Sequence, residues 1–234
     1  MNKTKLPTIY IAMACFDMVK INTMISMTKL IKELTKAGLE WQIETVKTPF
    51  VSKARNILTA LFLRSKYDYL LFIDADVEFE PEAVIRMLVT KKDIILTPYR
   101  VKLPHDPNLV KYTISFPDDK NVPILPGDIV EIAEGPAGLL LIHRKVFEFL
   151  MDSCPRLKIK HPFRKESDPY LYNFWDTTFD LDTGEWKGED LSFCALARGA
   201  GFKLYANLDS WTTHHGSWGW KGRFGDSLVK KKAE

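Results

Sequence analysis

Along the first hundred or so residues, short apolar runs alternate with stretches whose apolar positions recur every three or four residues. Residues 8–16 (TIYIAMACF) are β-rich and apolar, which predicts a buried strand. Ile21, Met24, Ile25, Leu30, Ile31 and Leu34 then fall near helical spacing, and Gly38 marks the helix end. Residues 41–48 (WQIETVKT) alternate as a second strand. Ser52 is placed to cap a helix with Ala54, Ile57, Leu58, Leu61 and Phe62 on its apolar face. Residues 67–79 (YDYLLFIDADVEF) read as a third strand that drives into two aspartates, Asp74 and Asp76. Pro81 suits the first turn of a helix running to about Val89, and residues 93–98 (DIILTP) form a fourth strand. Strand–helix alternation of this kind predicts an α/β fold: a mostly parallel sheet with helices on both faces. Such sheets bind ligands beyond the carboxyl ends of their strands, which is where Asp74 and Asp76 fall.

The second half is less periodic. Residues 109–116 and 129–134 look like strands. Residues 138–151 (GLLLIHRKVFEFLM) read as a strand turning into a helix near Arg144. Residues 152–188 are rich in proline, aspartate and aromatics, a length of irregular chain that is usually functional or mobile. Residues 188–202 (GEDLSFCALARGAGF) carry acids at the start and Gly199 and Gly201 at the end, the signature of a helix. Residues 203–216 supply one or two late strands. No repeat or linker divides the chain, so one domain covers residues 1–234. The alternating first part, to about residue 100, is expected to be a nucleotide-binding half, residues 101–220 an acceptor-binding and catalytic half, and residues 221–234 a basic tail.

Composition narrows the class. Of 234 residues 46% are hydrophobic and 27% charged, enough for a real core and too ordered for a disordered chain. A net charge of +3 does not argue for nucleic acid. Three scattered cysteines give neither a disulfide framework nor zinc spacing, which points to a reducing compartment and a cytoplasmic location. No apolar run nears the ~18 residues of a membrane span, and the apolar start reads as a strand rather than a leader.

Three stretches carry chemistry. Asp74 and Asp76, two apart on a strand, point the same way roughly 6.5–7 Å apart, so both can reach one hard cation or its waters. The plainer reading is a pair of loop aspartates capping the helix at Pro81. An apolar strand ending in Asp-x-Asp also marks haloacid-dehalogenase-like phosphatases, but their motif lies on the first strand before a Gly-rich turn, and "EFEPEAV" is no such turn. Arg55 and Asn56, at the start of a helix after the second strand, suit contact with a nucleotide; an ordinary solvated helix start reads equally well. In "KGEDLSF", Asp190 sits at a helix N-terminus, which favours an ionised carboxylate able to take a proton; simple capping by Glu189 and Asp190 is the alternative. In "TTHHGSWGW", a neutral imidazole can ligate manganese, His214 before His215, with His215 left open. Trp211, Trp218 and Trp220 suit either the core or a sugar-stacking platform. His105, His143 and His161 have no partner pattern and read as structural.

In order, "DAD", "GPAGLLLIHRKVF", "GED" and "HHG" resemble the GT-A-fold glycosyltransferases, most of all the compact inverting enzymes of large DNA viruses and phages. The resemblance spans about residues 8–220. It implies that Asp76 holds a divalent metal, Mn2+ or Mg2+, with Asp74 contacting ribose or assisting the ion and His214 as a third ligand. It implies that Cys15, Phe16 and Asp17, Arg55 and Asn56, and Ala75 between the aspartates, face the nucleotide. Residues 135–138, Gly138 included, would line the donor-sugar pocket. Asp190 would be the catalytic base of an xED motif, and Glu189 would orient the acceptor. The implied reaction transfers a sugar from a UDP-sugar to a glycan hydroxyl with inversion, in the cytoplasm of a cell or of a virus's host. Two alternatives stand beside it. One is a nucleotidyltransferase acting on a sugar phosphate, against which "ACFDMVKIN" lacks the expected glycines. The other is a non-catalytic nucleotide-sugar or glycan-binding module.

Overall fold

A computed structural model describes residues 6–103, 109–117, 122–160 and 168–229. The elements in order are β1 (Ile9–Cys15), α1 (Ile21–Lys36), β2 (Trp41–Lys47), α2 (Val51–Arg64), β3 (Tyr69–Ile73), β4 (Val77–Phe79), α3 (Pro81–Val89) and β5 (Ile94–Leu96). They continue with β6 (Ile124–Leu125), β7 (Ile129–Ile132), β8 (Leu139–His143), α4 (Arg144–Ser153), β9 (Thr178–Phe179) and β10 (Trp186–Lys187). The chain closes with α5 (Glu189–Gly199), β11 (Leu204–Asn207), β12 (Trp211–His215), β13 (Gly219–Arg223) and α6 (Phe224–Val229).

The central sheet has the order β2-β1-β3-β8-β5-β11-β7-β6. β2, β1, β3, β5, β11 and β6 point one way, while β8 and β7 run against them. Alternate residues feed two cores. Leu70 and Phe72 of β3 join Leu58 and Phe62 of α2, Phe147 of α4 and Phe193 of α5 on one face. Tyr69, Leu71 and Ile73 join Leu30 and Leu34 of α1 and Val84 and Met87 of α3 on the other. All five residues of β3 are buried, as a strand covered on both faces requires. The α/β single domain expected from the alternating pattern is therefore what the chain forms, with the sheet mixed by the antiparallel insertion of β8.

Several expectations change. Residues 67–79 are not one strand: β3 ends at Ile73, the chain turns through Asp74, Ala75 and Asp76, and β4 leaves for a second sheet of order β13-β12-β4. Carboxylates cannot continue a strand buried on both faces, so the ladder stops where they begin. Residues 109–116 make only isolated bridges, Tyr112 to Arg100 and Ser115 to Glu134. α2 starts at Val51 with Phe50 as its N-cap, so Ser52 lies inside the first turn and does not cap. Gly38 does end α1, with φ +72° and its N–H on Thr35 O. Residues 221–229 complete β13 and α6, with Phe224 buried, whereas residues 230–234 of the expected tail lie outside the described residues. The irregular stretch from 152 contributes core: Trp175 is buried, stacked on Phe193 at 4.1 Å between centroids. His143 is structural, accepting from Lys145 N at the start of α4, while His105 and His161 lie outside the described residues. No helix among the described residues is long and apolar enough to cross a membrane.

Candidate active site at the carboxyl edge of the sheet

β1, β3 and β5 end at one edge, and β8, running oppositely, begins there. This brings the turn after β3, residues 97–102 after β5 and the Ala137–Gly138 approach to β8 together. Asp74 N donates to Gly138 O at 2.9 Å, and Gly138 N donates to the Tyr99 hydroxyl at 3.1 Å. A Cβ at Gly138 would collide with the Asp74 carboxylate and the Tyr99 hydroxyl, so only glycine lets the backbone approach this closely. Gly135 makes its close approach elsewhere, against the core side chains of Leu96, Ile114 and Ile132.

Arg55 is the hub. It enters from α2, only 2% exposed, and is sandwiched near Phe72 and Trp175, with Cζ 5.0 and 5.6 Å from their ring centroids. Nη2 donates to Asp74 Oδ1 at 2.8 Å, Nη1 to Ala137 O at 3.3 Å and Nε to Glu189 Oε1 at 3.4 Å. Burial works against its charge, but the carboxylates of Asp74 and Glu189 prevail and raise its proton affinity. A guanidinium suits this place because its planar fork serves several acceptors at once. One buried cation thus joins the "DAD" turn to the "GED" helix.

Asp190 occupies the first turn of α5. Burial, then the neighbouring charge of Glu189, raise its pKa above the usual aspartate value, against the pull of the Leu191 N–H and Arg55. The N–H of Leu191 donates to Asp190 Oδ1 at 2.8 Å, which holds the carboxylate at the helix end. Glu189 faces Arg55 with Oε1.

Asp76 lies in a different setting. The Lys102 ammonium pairs with Oδ2, and Nε2 of His214 lies 3.6 Å from Oδ1. Burial would raise its pKa, but hydrogen bonds and charge from His214 and Lys102 hold it down at about 2. Arg100 O can only accept, so His214 Nδ1, 3.0 Å away, donates to it; Nε2 is then the atom that faces Asp76, an N–H donor to it in the imidazolium and a lone pair in the neutral ring. Adjacent residues of a strand face opposite sides, so His215 points away and meets Glu78 Oε2 at 2.8 Å. That geometry separates the two histidines: His214 is the one beside the aspartate.

With the His214 ring neutral, the donor set suits a cation between Asp76 and His214, because a carboxylate oxygen and an imidazole lone pair then face one another. Among the described residues, no three His, Cys, Asp or Glu side chains gather as a metal cluster. Asp74 does not join the pair, since Oδ1 is bound by Arg55 and Oδ2 lies 3.4 Å from the Tyr99 hydroxyl.

Other expected residues fall as follows. Asn56 spends its side-chain amide on the chain itself: Nδ2 donates to Asn173 Oδ1 and Trp175 O, and Oδ1 accepts from Trp175 N. It is a clamp on residues 173–175. Cys15 ends β1, and Phe16 and Asp17 follow it at the same edge, with local contacts. The Cys15 thiol donates to Met18 O, Asp17 lies 3.8 Å from Lys47, and Phe16 is exposed. Ala75 O accepts from Lys20 N at 2.8 Å, tying the loop after β1 to the aspartate turn. Trp220 is buried, whereas Trp211 and Trp218 are part-exposed. A groove of about 730 Å³, lined by Ile25, Lys29, Glu78, Glu80, Trp211 and Lys221 among others, lies across the small sheet from His214. It includes none of Asp74, Asp76 and Asp190.

Sequence reasoning did not single out Lys102 or Tyr99. Tyr99 follows directly on the expected strand at 93–98, so its place beyond a carboxyl end was a usable signal. Lys102 had none, because its role depends on a turn far away in sequence.

No family model matches the chain, and no curated protein matches it either. Among solved structures it is similar to A197 from STIV, at 20% identity over 89% of this chain and 86% of that one, with a TM-score of 0.51. A glycosyltransferase involved in the glycosylation of the major capsid of PBCV-1 aligns at 15% identity over 64% of this chain and 68% of that one, with a TM-score of 0.33. The 4-diphosphocytidyl-2C-methyl-D-erythritol synthase from Anaerococcus prevotii aligns at 13% identity over 67% and 78%, with a TM-score of 0.35. The first of these likenesses is one of fold.

Proposed function

We propose that this chain is a metal-dependent inverting glycosyltransferase of the GT-A type, moving a sugar from a nucleotide-diphosphate donor, a UDP-sugar, to a glycan hydroxyl in the cytoplasm. The observation that carries the reading is the Arg55 bridge: one buried guanidinium binds both Asp74 of the turn and Glu189 beside Asp190. Simple helix capping requires no such connection between a strand end and a helix more than a hundred residues away.

In this reading Asp190 takes the proton of the acceptor hydroxyl as that oxygen attacks the anomeric carbon. Its raised proton affinity makes it a better base than an ordinary surface aspartate. Arg55 and Glu189 are positioning residues, which hold the helix end carrying Asp190 against the donor side of the site. Tyr99 and Gly138 hold Asp74 at the ribose or phosphate end of the donor. A Mn2+ or Mg2+ ion held by Asp76 and His214 would supply the positive charge that stabilises a departing diphosphate. No general acid is then required for the leaving group, and a single displacement inverts the anomeric centre.

The test is a UDP-sugar hydrolysis and transfer assay with manganese, with the product anomer read by NMR. Asp190→Asn is expected to lose transfer while still binding UDP. Full transfer by that variant, or a product of retained configuration, overturns the inverting mechanism.

A further inference from the structure

Lys102 lies past the end of β5, and its ammonium pairs with Asp76 Oδ2. The pairing is built into the fold. A Cβ at Gly216 would lie 2.9 Å from the Trp220 ring and 3.2 Å from Lys102 Cδ, so this glycine leaves the space in which the lysine stem lies. His215 N donates to Asp76 O at 2.8 Å, and Gly216 N donates to Trp218 O at 2.7 Å, which ties the slot to the aspartate turn. The "HHG" stretch thus shapes a place for a lysine as well as presenting an imidazole.

Asp76 then has two differently occupied sides. Oδ2 carries the ammonium, and Oδ1 faces His214 Nε2 across 3.6 Å. A divalent cation on the Oδ1 side would repel the ammonium on the Oδ2 side. Arg55 cannot yield, being buried among three acceptors. Lys102 can, because its ammonium ends a flexible stem and its side chain is about a third exposed. The site therefore holds one fixed cation and one movable one.

We infer that Lys102 is a donor-phosphate ligand that rests on Asp76 until a divalent cation takes that carboxylate. The inference rests on the sugar-nucleotide reading above and adds to it a residue with two successive partners. Displaced from Asp76, the ammonium on its flexible stem would turn to the next strong anion of the site, the diphosphate of the donor.

The experiment compares the full chain with Lys102→Met, which keeps the apolar stem and removes the charge. Mn2+ affinity without nucleotide, and UDP affinity with Mn2+ present, are measured by calorimetry. The variant is expected to bind Mn2+ about tenfold more tightly and UDP about tenfold more weakly, since a like charge has left the first site and a favourable one the second. Unchanged or weaker Mn2+ binding overturns the inference, as does tighter Mn2+ binding with unchanged UDP affinity. A wild-type chain that binds neither Mn2+ nor UDP removes the sugar-nucleotide reading as well. Should Lys102→Met lack a folded circular-dichroism spectrum, Lys102→Gln gives the same two readouts.

Discussion

Arg55 on α2 donates to Asp74 at 2.8 Å, at the turn that ends β3, with its guanidinium almost wholly buried. Because the same group reaches Glu189, it makes the two acidic motifs one unit. Breaking a buried ion pair by removing one partner typically costs about 3–5 kcal/mol. Arg55→Met is therefore expected to lose about that much stability in urea unfolding, together with transfer activity. Arg55→Lys retains the charge but not the fork, and should restore part of the stability and little of the activity. A Met variant within 1 kcal/mol of wild type would show that Arg55 is not the hub described.

Asp190 binds its proton more tightly in the folded chain than an unfolded aspartate does. Its contribution to stability is thus fully present below the unfolded pKa, about 3.9, and is lost as pH rises through the higher folded value. At pH 7 the ionised group is a burden on the fold. Asp190→Asn should melt at or above the wild-type temperature at pH 7, with transfer abolished. The acid limb of kcat/KM should lie above the ordinary carboxylate range. A variant clearly less stable at pH 7 would contradict the raised proton affinity.

Asp76 has the opposite sign. Its folded pKa is lowered to about 2. The stability it contributes is complete above about 4 and disappears as pH falls from about 4 toward about 2. In metal-free buffer, wild type should lose more stability across that window than Asp76→Asn. Equal losses in urea titrations at pH 4.5 and 2.5, values chosen to bracket the window, would show that Lys102 and His214 do not hold this carboxylate in solution.

Gly138→Ala places a methyl where the Asp74 carboxylate and the Tyr99 hydroxyl now lie. Overpacking of this kind costs about 1–3 kcal/mol. Donor affinity should fall with it, because Asp74 must move. Retained UDP affinity in calorimetry would place Asp74 outside the donor site.

Asn56→Ala leaves the N–H of Trp175 without its present partner and frees the carbonyl of the same residue. A buried donor without a partner costs about 1–3 kcal/mol. The expected result is a lower urea midpoint with UDP affinity changed little. Loss of UDP affinity at unchanged stability would return Asn56 to the nucleotide.

Much of this was legible in the chain. The apolar runs at β1, β3, β5 and β8 report burial on each face directly, so the alternation of elements specifies the layered sheet, whereas on α1 Ile21, Met24 and Ile25 are exposed and Thr23, Ser26 and Met27 are buried instead. The aspartates at a strand end and the acids opening α5 are local signals as well. The break between β3 and β4 was less legible, because Val77 and Phe79 continue the apolar alternation while pairing with β12. β13 escaped notice for a similar reason: its glycines and charged residues give no strand pattern, and its partner is β12.

The sequence by itself determined the order of strands and helices and which acids stand at element ends, because periodicity and capping act over a few neighbours. Only the tertiary structure decided what those acids meet. Asp74 belongs to Arg55, Asp76 to Lys102 and His214, and Asn56 to Trp175, through contacts spanning from 19 to 138 residues. Such pairings follow from strand order and from which side of a strand each residue faces, and neither is written in the local alternation of polar and apolar positions.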